Sequence, residues 1–111
     1  MTAFLMGFGL SAQAAETAKP SKQMEQFLSF SRKSQDNFIT TSVMMIGVIA
    51  SQTNPRMARC INAWYRATPD RKEKRHNEIL KAMHDLQRHV PTTIVLAVVE
   101  RACGKFKRAP K

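Results

Sequence analysis

Pro55-Arg56-Met57-Ala58-Arg59-Cys60-Ile61-Asn62-Ala63-Trp64-Tyr65 contains one of the chain's two cysteines, its only tryptophan and its only tyrosine. Asn54 can cap a helix here, and Pro55 suits the first helical position, where a missing N–H costs nothing. The spacing predicts a helix over 55–67. It places Met57, Cys60, Ile61 and Trp64 on one face, with Tyr65 at the edge and its hydroxyl exposed. The second cysteine, Cys103, closes the last apolar run, Ile94 to Cys103. It follows Val99 by four residues and Val95 by eight, so it too lies on an apolar stripe. Packing the two stripes together brings the sulfurs within reach.

The same start signal recurs further on. Thr68-Pro69 opens a helix predicted over 69–88, with Asp70 in the first turn, where a negative charge suits the helix dipole. Ile79, Leu80, Met83 and Leu86 point inward, and the outer face is basic. His89-Val90-Pro91-Thr92 is the last break before a helix over 92–103, with Gly104 placed to end it. Upstream, Pro20 and Ser21 mark another start. Apolar residues then recur at helical spacing: Met24, Phe27, Leu28, Phe38, Ile39, Met45, Ile46 and Ile49. This segment is either one long helix or two helices broken near Ser34–Asn37. Val43 to Ala50 is apolar all round, the pattern of a central core helix; its β-branched content leaves a strand as the alternative. Phe38 to Ala50 is too short to span a bilayer, so no integral membrane span is expected. The predicted fold is all-α, with four to five short helices around one core and one disulfide.

A chain of 111 residues suggests one domain, able to bury roughly 60–65% of its unfolded surface. That supports one modest core and leaves little room for a deep, enclosed site. Ala3 to Leu10 is a short apolar run. The Ala12-Gln13-Ala14 site that follows fits signal-peptide cleavage before Ala15, although a positive n-region is missing. A signal peptide is therefore expected over 1–14, a polar leader over 15–22, one helical domain over 23–106 and a basic tail over 107–111. Export to the periplasm, or secretion, makes a Cys60–Cys103 disulfide the default over free thiols or a metal half-site.

The net charge is +10, and all 18 Lys and Arg residues lie beyond the cleavage site. Such a field favours acidic partners: nucleic acid, anionic lipid or polysaccharide, or an acidic protein face. Arg71, Lys72, Lys74 and Arg75, with Lys105, Lys107 and Arg108 of the tail, form the candidate binding surface. No helix-turn-helix or zinc-finger spacing accompanies them, so nucleic-acid binding would be phosphate-driven and salt-sensitive. Tyr65 is a candidate aromatic contact. Trp64 reads as core, with a stacking platform as its alternative.

Patterns that carry chemistry are scarce. His76 and His84 sit eight residues apart, about 80° around a helix, and no histidine pair has i, i+4 spacing. There is no CxxC cluster, so neither a metal nor a cofactor is implied. The four glycines are scattered and form no phosphate loop. The eight carboxylates sit mostly among basic residues as salt-bridge partners. A thiol nucleophile beside a histidine is conceivable, but both cysteines lie in apolar runs. No catalytic residue is assigned.

The order of features resembles a family. Met45-Ile46-Gly47-Val48 leads to Cys60. Ile79-Leu80-Lys81-Ala82-Met83 then precedes the His89-Val90-Pro91 break, and Ile94-Val95-Leu96-Ala97-Val98-Val99 runs into Ala102-Cys103. Over about residues 38–104 this is similar to the small exported, disulfide-linked helical proteins of the HdeA-like group. That group includes acid-stress chaperones and immunity proteins that block amidase effectors of type VI secretion. The resemblance implies a Cys60–Cys103 bridge and non-enzymatic binding of a protein partner in the periplasm or cell envelope, of inhibitor/immunity or stress-chaperone type. A basic adaptor for nucleic acid or another anionic polymer is the alternative.

Overall fold

The computed structural model describes residues 19–106. The expected signal peptide, residues 15–18 of the polar leader and the basic tail with Lys107 and Arg108 lie outside the described residues. Five helices follow in order: α1 Lys22–Leu28, α2 Arg32–Thr53, α3 Pro55–Arg66, α4 Pro69–Asp85 and α5 Pro91–Cys103. No strand occurs among the described residues, so Val43–Ala50 is helical. The fold is all-α, as the spacing predicts.

Each helix begins where its chemistry directs. Ser21, Ser31, Asn54 and Thr68 cap α1 to α4, each side chain accepting from the N–H three residues on. Helices α3, α4 and α5 open on proline. Gly104 ends α5 with a φ of +98°, a value that suits glycine, and its N–H donates to the Glu100 carbonyl at 2.8 Å. The break between α1 and α2 falls at Ser29–Ser31, upstream of the expected Ser34–Asn37. The Ser31 hydroxyl accepts from Ser34 N–H at 3.2 Å, which starts α2 there. Gln35 donates from α2 to the Phe27 carbonyl at 3.1 Å and braces the end of α1. α4 stops at Asp85, three residues short of the predicted Arg88, and leaves Leu86 exposed rather than inward.

The centre of the molecule is α5, which packs against each of the other four helices. Its Pro91, Ile94, Val95 and Val99 are buried among Met24, Phe27, Ile39, Val43, Ile79 and Met83. Full burial of each such side chain is worth roughly 1.5–3 kcal/mol. The expectation that Val43–Ala50 forms the central helix is corrected. α2 packs on α3 and α5 along one side only, so Val43 and Ala50 are buried and the outer side meets solvent.

On α3 the inward line is Met57, Ile61 and Tyr65, at i, i+4 and i+8. Cys60 and Trp64 sit beside it, half-buried. The predicted face is thus rotated by about one position. Cys60 nonetheless reaches Cys103 at the end of α5, and the two form a disulfide across Cα atoms 5.6 Å apart.

Candidate functional site

Tyr65 corrects the sequence reading most sharply. It is 2% exposed, and its hydroxyl is buried rather than offered at an edge. That hydroxyl lies 2.6 Å from His76 Nε2 and 3.3 Å from Thr40 Oγ1. His76, itself 3% exposed, places Nδ1 2.8 Å from Asp36 Oδ1. Arg32 Nε donates to the same oxygen at 2.9 Å. A carboxylate only accepts, so Nδ1 carries a proton; in the neutral ring Nε2 then accepts from Tyr65. The chain of bonds ties α3 to α4 and α4 to α2. The Tyr65 and His76 rings also stack, with centroids 5.6 Å apart.

The order Tyr–His–Asp is that of a proton relay, but a relay needs its terminal oxygen within reach of a substrate. Here Tyr65 and His76 are almost fully buried: His76 lines a polar cleft with Arg32, Asp36, Thr40, Lys72 and Glu73, and Tyr65 lies at the floor of a second groove. The trio ties α2, α3 and α4 together, with Tyr65 and His76 in the core and Asp36 at its edge. In the sequence His76 lies among charged residues and pairs with no other histidine; its spacing to Ile79 and Met83, i, i+3 and i+7, is the signal that puts it on the inward stripe.

Burial pushes the Tyr65 phenol above its ordinary value, which keeps the proton on the oxygen as a donor. For Asp36, burial pushes the carboxyl up, but hydrogen bonds and charge from His76 and Arg32 outweigh it and leave the group below its ordinary value. A carboxyl lowered in the folded state stabilises the fold above its unfolded pKa, near 4. That contribution is lost as pH falls through the folded value. Urea midpoints measured from pH 6 down to pH 3 are expected to fall more steeply for the wild type than for Asp36→Asn. Parallel profiles would refute this role.

The basic face on α4 is partly consumed by structure. The Arg71 guanidinium donates to the Ala63 carbonyl at 3.0 Å, and Arg75 Nε donates to the Trp64 carbonyl at 2.8 Å. These are orphan carbonyls of the last turn of α3, so the two arginines cap that helix. Arg75 also lies 5.1 Å over the Trp64 ring and pairs with Glu78 at 3.0 Å. Trp64 is thereby a covered, half-buried ring rather than an open platform. Lys72, Lys74 and Lys105 are exposed and form no ion pair among the described residues.

A different surface stands out. Met44, Met45, Val48 and Ile49 of α2 are 47%, 57%, 58% and 47% exposed. Thr41, Ser51 and Gln52 complete the same arc, so it carries no charge at all. Single exposed apolar residues are ordinary; four together on one helical arc form an apolar patch. About half of their burial energy is unrealised, roughly 3–6 kcal/mol in sum. Beside the arc, between α2 and α3, lies an open groove of about 400 Å³. Met44, Gly47, Val48 and Ser51 form one wall; Arg59, Asn62 and Arg66 form the other; Val43, Ile61 and Tyr65 lie below. No carboxylate occurs from residue 37 to residue 69. Arg59 and Arg66 are exposed and form no ion pair among the described residues. The acid-free run was legible in the sequence. The exposure of its apolar arc was not, because a helix apolar all round does not show which side is covered.

Gly47 is a mid-helix glycine that the fold does not require. A Cβ there would meet only Ile61 Cγ2, at an ordinary 3.9 Å. Gly47→Ala is expected to stabilise the protein by about 0.5–1 kcal/mol in chemical denaturation. A loss of stability would show that the backbone at this position needs glycine.

Among the described residues no helix is long and apolar enough to cross a membrane, and no three His, Cys, Asp or Glu side chains are grouped to hold a metal. Fold and surface together define a small, disulfide-stapled helical protein with an uncovered apolar face. Comparison of the chain with protein-family models, curated proteins and solved structures finds no match.

Proposed function

We propose that this is a small exported, non-enzymatic protein that binds a protein partner in the periplasm or cell envelope, as an inhibitor/immunity-type or stress-chaperone-type factor. The observation that carries this reading is the uncharged apolar arc of α2, whose Met44, Met45, Val48 and Ile49 are left half-exposed beside a helix bearing arginines and no acid. Interfaces have apolar centres depleted of charge, and methionine adapts to partner shape. The resemblance to the HdeA-like group points the same way. The Cys60–Cys103 bridge fits an oxidising compartment.

The test is affinity capture from envelope extract, run in parallel with Met45→Glu/Ile49→Glu. A protein retained by the wild type and lost in the variant supports the reading. An identical set of retained proteins for both would refute it. A second reading, an adaptor for an anionic polymer, is favoured by Lys72, Lys74 and Lys105, which are exposed and form no ion pair among the described residues. It requires binding to DNA or an anionic polysaccharide that weakens steeply across a salt series. A flat response removes it.

A further inference from the structure

We infer that the α2–α3 groove is the seat for one amphipathic helix of the partner, and that this helix is acidic. The inference rests on the protein-binding reading and adds the place and the chemistry of the contact. Two packed helices with an apolar trough between them offer the shape into which a third helix lays its ridges. On α2 the trough wall is Met44, Gly47, Val48 and Ser51, at i, i+3, i+4 and i+7, the spacing of one continuous helical stripe. Gly47 lowers that wall at its middle. Nothing in this chain needs the missing side chain, since the space above it meets only Ile61 at van der Waals distance. A mid-helix glycine costs helix propensity, and here its bare backbone gives room for close approach of something from outside.

The opposite wall sets the charge. Arg59 and Arg66 are seven residues apart, two helical turns or roughly 10.5 Å along the axis. Asn62 stands between them as a neutral donor and acceptor. A docked helix with carboxylates two turns apart would meet both guanidiniums, each able to form a bidentate pair. The other occupants fit less well. A second copy of this chain would bring its own arginines and a further charge of +10, and it has no carboxylate from 37 to 69 to offer in return. A bilayer presents a broad surface, and the groove is concave with its cations along one side only.

The experiment places a photoreactive phenylalanine analogue at Ser51 or Asn62, on the two rims, at Ile49 on the exposed arc outside the groove, and at Lys74 as a control, in cells that export the full chain. Adducts are mapped by mass spectrometry. The expected result is an adduct at Ser51 and Asn62 whose crosslinked segment is an acid-bearing amphipathic helix. Its yield should fall at least tenfold in Arg59→Glu/Arg66→Glu and in Gly47→Leu, with circular dichroism showing both variants folded. A lipid adduct, an adduct to this chain itself, a segment without carboxylates, or a yield unchanged by both variants would overturn the inference. Adducts to a protein only at Lys74 or Ile49 would overturn the groove and leave protein binding standing. Adducts at none of the four positions would overturn both.

Discussion

Replacing Cys60 and Cys103 together by alanine is expected to lower the unfolding free energy by about 4 kcal/mol. The two cysteines are 43 residues apart in sequence, and closing a loop of that length removes roughly this much conformational freedom from the unfolded chain. For a domain whose total stability is of the order of 5–15 kcal/mol, that is a large share. The bridge also has a position that makes its loss consequential. It joins α3 to the last turn of α5, and α5 is the helix on which all the others pack. The measurement is urea unfolding of the double alanine variant against the oxidised wild type, with reduced wild type as a second comparison. The melting temperature should drop by roughly 15–30 °C. A loss below 1 kcal/mol in both comparisons would mean that helix packing alone holds α3 against α5.

His76→Leu is expected to cost about 2–4 kcal/mol, although leucine is the more apolar residue and the site is buried. The substitution leaves the Tyr65 hydroxyl, 2.6 Å from the lost Nε2, with only the longer 3.3 Å contact to Thr40. It also takes a donor from the Asp36 carboxylate and removes the stacked ring. A buried polar group stripped of its partner carries a penalty of about 1–3 kcal/mol, and a stacked ring pair adds about 0.5–1.5 kcal/mol. Removing both ends tests the mechanism. In Tyr65→Phe/His76→Leu no orphaned hydroxyl remains, so the double variant should lose at least 1 kcal/mol less than the sum of the single variants. Additive losses would show that the two side chains merely fill space.

Both expectations concern residues whose importance was unequally visible beforehand. The cysteines could be paired from helical phase together with the expected export, and the pairing holds although the inward line of α3 runs one position away from Cys60. The spacing of His76 to Ile79 and Met83 points it inward, but its partners could not be named, since Tyr65 and Asp36 come from other helices. The same contrast runs through the charged residues. Arg71 and Arg75 looked like a binding surface, yet their guanidiniums turn back onto carbonyls of α3. Which arginines serve the fold and which remain for a partner depends on what lies opposite them in space.

The helices, their proline and cap signals, the one bridge and the positive charge were all determined by the sequence itself, because they depend on local backbone chemistry, on periodicity and on composition. What only the tertiary structure decided is which apolar residues stay uncovered. Val43 to Ala50 satisfies a core pattern on every side, but among the described residues only the Val43 and Ala50 side of it is buried. Burial is settled by where the other helices pack, and they pack around α5, leaving the outer arc of α2 and the groove beside α3 open to solvent.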